Sequence, residues 1–388
     1  MPLAVSSRRS AAAIFAAAVL VATLAGCSPD GSGAEPSSAP AADAAAGLSH
    51  AEETIAPYLE RAVSIPDVDP PIPVTEPLAA LPTGKKFAYV ECNVPECAVV
   101  GAEMKVAIEQ LGGEFQSFKQ GNDTQSTADA FQAAFDSQPD VLIQDAIDPA
   151  TWTSQLKLFK DAGIPVVSWT IPNDPAAEGI SAVFNGGDTF QTVGRIMADY
   201  VIAKSEGKAN AVLFYPPEYT VFVGLAEAFQ DEIQSQCPGC TVSIESAPAS
   251  EIGSQLPTKV VSFVQANPST DWVVGAFGSV LIGVPQALAA AGIEGIDTLS
   301  QAGGEVNFQY IKDGLQTADL SNDLNQEAWI AADIAAKLAT GQEVDDVTLN
   351  SRSAQMFITQ DEVTFDPSAG FQSYPEFKEY FQGLWGVK

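Results

Sequence analysis

Asp145 and Asp148 follow the apolar run Val141-Leu142-Ile143 and stand three residues apart, a spacing that could serve an acid and a base. The Asp148-Pro149 step reads better as a helix cap followed by proline at the first helical position. Four cysteines invite a different chemistry. Cys92 and Cys97 are separated by four residues, and Cys237-Pro238-Gly239-Cys240 forms a tight turn. A redox Cys-x-x-Cys would open a helix in a thioredoxin-like βαβ unit, whereas this pair follows a helical pattern. Two local disulfides, Cys92–Cys97 and Cys237–Cys240, are therefore expected. His50 is the single histidine of 388 residues, which removes most metal sites and any mechanism needing a second imidazole. His50 itself reads as a solvated residue near the start of a helix. No phosphate-binding Gly-rich loop, dinucleotide fingerprint or EF-hand loop is present. Catalytic, metal-binding and cofactor roles are not expected, which leaves binding.

The elements that would position a binding site alternate regularly from Lys85 onward. Phe87–Val90 reads as a strand, and Val100, Met104, Ala107, Ile108 and Leu111 recur as one helix face. Strand 114–118, helix 124–135, strand 141–143, helix 152–161 and strand 165–169 follow. The order resumes with helix 196–203, strand 211–215, helix 224–233, strand 241–244, helix 256–265, strand 272–276 and helix 285–290. Such alternation predicts parallel sheets covered by helices on both faces. A faint repeat runs through it. Pro139-Asp140-Val141-Leu142-Ile143 leads to Asp161-Ala162-Gly163-Ile164, and Asn267-Pro268 with Asp271-Trp272-Val273-Val274 leads to Ala290-Ala291-Gly292-Ile293. Each glycine suits a helix C-terminal cap.

Composition narrows the function. Hydrophobic residues make up 46%, enough for substantial cores, and the net charge of −31 repels phosphate backbones, so no nucleic-acid partner is expected. Arg8 and Arg9 precede an apolar run from Ala11 to Ala25, too short to span a bilayer comfortably and the right length for a signal-peptide core. It ends in Leu24-Ala25-Gly26-Cys27, which resembles the lipobox of bacterial lipoproteins. The resemblance implies cleavage before Cys27 and lipidation of that cysteine, an anchor strong enough to outweigh the acidic surface. Residues 28–47 read as a flexible spacer, Leu48 to Ala62 as a short amphipathic helix, and residues 66–82, with six prolines, as a stiff extended segment.

The chain from about Lys85 resembles the type I periplasmic binding proteins, the ribose-binding-like solute receptors of ABC importers, over about three quarters of its length. Besides the runs quoted above, Asp123-Thr124-Gln125, Ile164-Pro165-Val166-Val167, Gly224-Leu225-Ala226-Glu227-Ala228-Phe229 and Ile311-Lys312-Asp313-Gly314 carry the resemblance. It implies an α/β protein of two similar doubly wound parallel-sheet lobes joined by a three-strand hinge. Ligand would lie between the lobes, at the carboxyl ends of the strands. The expected domains are a signal peptide at 1–26, a lipidated tether at 27–83, a first lobe at 84–176 plus 324–354, and a second at 177–323 plus 355–388.

The cleft departs from sugar-binding relatives. Three of their polar anchors are missing, replaced by the stretches Tyr219–Val223, Phe277-Gly278 and Ala302. The aromatics Trp169, Tyr219, Phe222 and Phe277 lie at or just after strand ends, with Asn93, Asp145, Gln301, Asn322 and Asp323 as polar candidates. A sugar-like ligand less polar than a free monosaccharide is expected, since rings stack on apolar faces and lost hydrogen-bonding groups relax selectivity. The resemblance implies a monomeric extracytoplasmic lipoprotein, held to the membrane by its lipid. It would deliver a small molecule to permease and ATPase subunits on separate chains, the alternative being a receptor that presents ligand to a membrane signalling protein.

Overall fold

The computed structural model describes residues 41–121, 123–171 and 179–387. The expected signal peptide, Cys27 and the first part of the expected spacer lie outside the described residues. The remainder of the expected tether is built into the body. Helix α1 (Ala41–Glu60) packs on the second lobe with Ala51 and Ile55 fully buried, and strand β1 (Val63–Ile65) pairs antiparallel with a late strand. Ile72 and Val74, set between prolines, are buried in the core of the first lobe. The physical reason is burial: each of these side chains removes apolar surface from water, which a free spacer would leave exposed. His50 is about half exposed on α1 and lies 3.5 Å from Glu232.

The first lobe alternates β2 (Lys86–Glu91), α2 (Pro95–Gln110), β3 (Glu114–Lys119), α3 (Thr124–Asp136), β4 (Val141–Asp145), α4 (Thr153–Ala162), β5 (Val166–Trp169) and β6 (Ala182–Phe184). Its five strands are parallel in the order β3-β2-β4-β5-β6. Asp123 caps α3 in a capping box with Ser126, and Asp148 caps the turn at Pro149, accepting from the N–H of Ala150 at 2.8 Å. Asp148 is thus a structural cap.

The second lobe repeats the plan with α5 (Gly187–Lys204), β7 (Asn210–Tyr215), α6 (Thr220–Gln236), β8 (Thr241–Ser246), α7 (Leu256–Ala266), β9 (Trp272–Gly275), α8 (Val284–Ala290), β10 (Asp297–Gln301), α9 (Glu305–Lys312) and β11 (Ala318–Asn322). Its order β8-β7-β9-β10-β11 matches the first sheet, extended at the β11 edge by two antiparallel strands. The repeat has an atomic counterpart. Asp140, just before β4, accepts from the backbone N–H of Lys86 at the start of β2 at 2.8 Å. Asp271, just before β9, accepts from that of Asn210 at the start of β7 at 2.7 Å.

Helices α10 (Leu324–Ala339) and α11 (Asp346–Leu349) return to the first lobe, and β12 (Arg352–Ile358) joins the second sheet. Passages between the lobes run from β6 to α5, from β11 to α10 and from α11 to β12, and the segments before β2 and after β12 cross as well. Helix α12 (Phe377–Trp385) corrects the expected boundary. It belongs with the first lobe, because Trp385 stacks on Trp329 of α10 at 5.0 Å and Phe377 and Phe381 join the same core. Both disulfides, Cys92–Cys97 and Cys237–Cys240, are present.

Candidate functional site

The carboxyl ends of strands from both sheets converge on one cavity of about 70 Å³. Asp145 ends β4, Thr170 follows β5, Asn185 follows β6, Phe277 follows β9, Gln301 ends β10 and Asn322 ends β11, and all six line the cavity. The backbone is unusual at these ends. Ala146, Thr170, Asn185 and Ala302, all lining residues, have φ of +60°, +54°, +46° and +51°. Left-handed conformations are costly for side chains with a Cβ, most of all for β-branched threonine, and concentrate where a site is held in a set geometry. Gly303 completes the turn after β10. Its N–H donates to the buried Asp319 carboxylate at 2.8 Å, and a Cβ there would lie 2.8 Å from the Asp319 Cγ.

The two walls differ in kind. The second lobe contributes rings: Phe222 and Phe277 stack nearly parallel at 5.0 Å, with Phe190 and Tyr219 edge-on to Phe222. The first lobe contributes carboxyls: Glu96 from the first turn of α2, Asp145, and Glu327 from the first turn of α10. Burial pushes the Asp145 carboxyl well above the usual range, and Glu327 adds to the rise, while the Thr170 hydroxyl bonds it. Burial lifts Glu327 to about 7 despite hydrogen bonds from Asn322, Ser353 and Asn185. Burial likewise raises Glu96, opposed by Ser279.

Glu96 also joins the lobes. Its carboxylate accepts from the Ser279 hydroxyl at 2.7 Å and from the Ser279 N–H at 3.2 Å, across the mouth of the cleft. Beside it the Tyr219 hydroxyl donates to Asn93 of the first lobe. A hydrogen bond to a charged group contributes about 1.5–3 kcal/mol. Ser279→Ala, which keeps the backbone bond, is therefore expected to open the ligand-free protein, seen as a larger radius of gyration in small-angle scattering. It should weaken ligand binding by roughly tenfold, since binding must then supply the lost closure energy. An unchanged radius of gyration and affinity would remove the latch role.

Of the sequence candidates, Asp145, Tyr219, Phe222, Phe277, Gln301 and Asn322 line the cavity. Asn93 stands at the rim. Two lie elsewhere. Trp169 is fully buried in the first-lobe core, stacked between Tyr89 and Phe184, because it shares the sheet face of Val167. Asp323 caps α10, accepting from the N–H groups of Gln326 and Ser373, with burial raising it to about 6. Sequence reading missed Glu96, Thr170, Asn185, Phe190, Glu327, Ser353 and Gln355. Most of these sit at hinge passages or in first helical turns, where an acid reads as an ordinary helix-dipole residue.

A family model described as "Periplasmic binding protein domain" matches residues 97–343. No curated protein matches the sequence. Among solved structures, an ABC sugar transporter subunit from Rhodobacter sphaeroides is 18% identical with a TM-score of 0.62, covering 72% of this chain and 99% of its own. A solute-binding protein from Agrobacterium vitis, bound with α-D-tagatopyranose, is 16% identical with a TM-score of 0.65, over 74% of this chain and 98% of its own. A 5-methylthioribose transporter solute-binding protein from Thermotoga lettingae, in complex with 5-methylthioribose, is 16% identical with a TM-score of 0.65, over 80% of this chain and 99% of its own.

Proposed function

We propose, from the premise that this chain belongs to the periplasmic binding protein family, that it is an extracytoplasmic receptor that captures one small molecule between its lobes and hands it to an ABC importer. The observation that carries this reading is the cavity itself: strand ends of both sheets meet there, and the Glu96–Ser279 and Asn93–Tyr219 bonds join the lobes over it. Ligand that contacts both walls favours the closed form, and only that difference can drive closure. The permease and ATPase would be separate chains; among the described residues no helix is long and apolar enough to cross a membrane. In this reading the bound molecule is released unchanged.

The aromatic wall supports a ligand less polar than a free monosaccharide. A partly deoxygenated sugar such as the 5-methylthioribose held by one structural neighbour shows that a related fold accommodates such a compound. The Leu24-Ala25-Gly26-Cys27 run supports anchoring through a lipidated Cys27. Thermal-shift titration of the whole protein against sugars, polyols, amines and aromatic compounds tests the receptor reading. A ligand at about one hundred times its Kd adds about 2.7 kcal/mol of stability. Stabilisation together with a smaller radius of gyration is expected for at least one class. Catalytic turnover of a bound compound, or no stabilisation by any class, overturns it. Cys27→Ser should move the protein from the membrane to the soluble fraction, and continued membrane retention would refute the anchor.

A further inference from the structure

We propose that the ligand of this cleft is a small organic cation, a protonated amine on an apolar ring-sized body. This rests on the receptor reading and names the class of molecule the receptor takes. The cavity is divided by chemistry along the line where the lobes meet. Glu96, Asp145 and Glu327 all come from the first lobe, and Phe190, Phe222 and Phe277 all from the second. Among the described residues no lysine or arginine lines it.

Among the described residues, the buried polar atoms of the wall that lack a partner are acceptors. Asp145 Oδ1 and Asn322 Oδ1 are buried in the wall without a hydrogen-bond partner. Asp145 is 7% exposed, so that oxygen has little access to bulk water. Several neighbouring amides donate to protein groups. Asn322 Nδ2 donates to Glu327 at 2.6 Å, Asn185 Nδ2 donates to Glu327 at 3.0 Å and to Ser353 at 2.7 Å, and Gln301 Nε2 donates to the Ala276 carbonyl at 3.0 Å. A sugar hydroxyl both donates and accepts, whereas the two unpartnered oxygens only accept. An ammonium only donates, which is what the free oxygens require.

Charge points the same way. Buried carboxylates without a counter-charge are costly, and they persist when paired. Glu96 and Glu327 sit in the first turns of α2 and α10, where the helix dipole favours the ionised form. A cation would supply the remaining compensation, and its apolar body would lie against the ring faces, which attract cations as well as apolar surface. Because acids and rings stand on opposite lobes, such a ligand contacts both only when the cleft is closed.

The test is titration calorimetry of the whole protein at pH 7.5 with benzylamine, 2-phenylethylamine, tyramine and cyclohexylamine, each beside its alcohol counterpart, and with D-ribose. At least one amine is expected to bind at least 100-fold more tightly than its alcohol. Glu327→Gln and Asp145→Asn should each weaken that amine at least tenfold while leaving the alcohol unchanged, a difference that misfolding would not produce. Lowering the pH to 5 should weaken the amine, as Glu96, Asp145 and Glu327, with Asp323 behind them, take up protons. If the alcohols or ribose bind as tightly as the amines, or no amine binds, the charge inference fails and the receptor reading stands. If the thermal-shift titration also finds no stabilising compound, that reading fails too.

Discussion

A chain that begins at residue 84 is expected to lose most of its stability, although sequence reading places the whole globular body after that point. The missing segment carries Ala51 and Ile55 into one core and Ile72 and Val74 into the other, and buries Val63 in β1. Burying an Ile or Val side chain contributes about 1.5–3 kcal/mol. Four such side chains amount to a large fraction of the roughly 5–15 kcal/mol that holds an ordinary domain together. Polar contacts are lost as well. The Tyr380 hydroxyl donates to the Val74 carbonyl at 2.8 Å, and Gln342 bonds both the Pro77 carbonyl and the Ala79 N–H. Removing β1 also bares the edge of β12, an invitation to association. Urea unfolding of chains starting at residues 41 and 84 checks this. The first should unfold like the full chain, and the second should have a much lower midpoint or be recovered as aggregate. Equal midpoints would show that the segment is a spacer after all.

That segment also shows what a sequence hides. Six prolines between residues 66 and 82 match a stiff linker, and composition has no means of separating a free linker from one laid into a groove. Ile72 and Val74 were the available signal, two apolar residues with one position between them inside a proline run. The doubly wound plan was more legible, because strand and helix periods alternate cleanly and the Asp140 and Asp271 stretches repeat. The structure gives those two aspartates the same bond at the same place in each sheet. Aromatic candidates divided by sheet parity. Phe277 follows its strand into the cleft, whereas Trp169 lies two positions from Val167 and shares its inward face. The acids of the cavity were hard to find because the chain has 49 of them. Glu96 and Glu327 differ from the rest only through the convergence of two helix N-termini from distant parts of the chain.

The ligand-free protein is expected to become less stable as pH rises from about 4.5 to 7, against the usual behaviour of paired surface acids. The sign follows from the cavity. Glu327 is lifted to about 7 and Asp145 well above the usual range, both chiefly by burial, and Asp199 beneath α1 is likewise raised to about 7 by burial and then by Glu232. In this window the unfolded chain has released these protons while the folded chain still holds them. The folded state therefore binds more protons, and each rise in pH favours unfolding. Below about pH 4.5 both states are protonated and the full stability is present. Above about pH 7 the contribution is gone. For Glu327 alone the displacement corresponds to about 3 kcal/mol, at about 1.36 kcal/mol for each pH unit. Glu327→Gln removes that ionisation. Its retained oxygen can accept from Asn185 and Asn322, which both donate to the same carboxylate oxygen. The variant should therefore be more stable than the parent at pH 7.5 by up to about 3 kcal/mol, and no more stable at pH 4.5. Urea unfolding of both proteins at the two pH values reads this directly. A parent that gains stability from pH 4.5 to 7.5, or a Gln variant that is weaker at pH 7.5, would show that the buried acid is already compensated within the fold. The expected result instead makes Glu327 a residue kept at the expense of stability, which is intelligible only if something that enters the cleft compensates its charge.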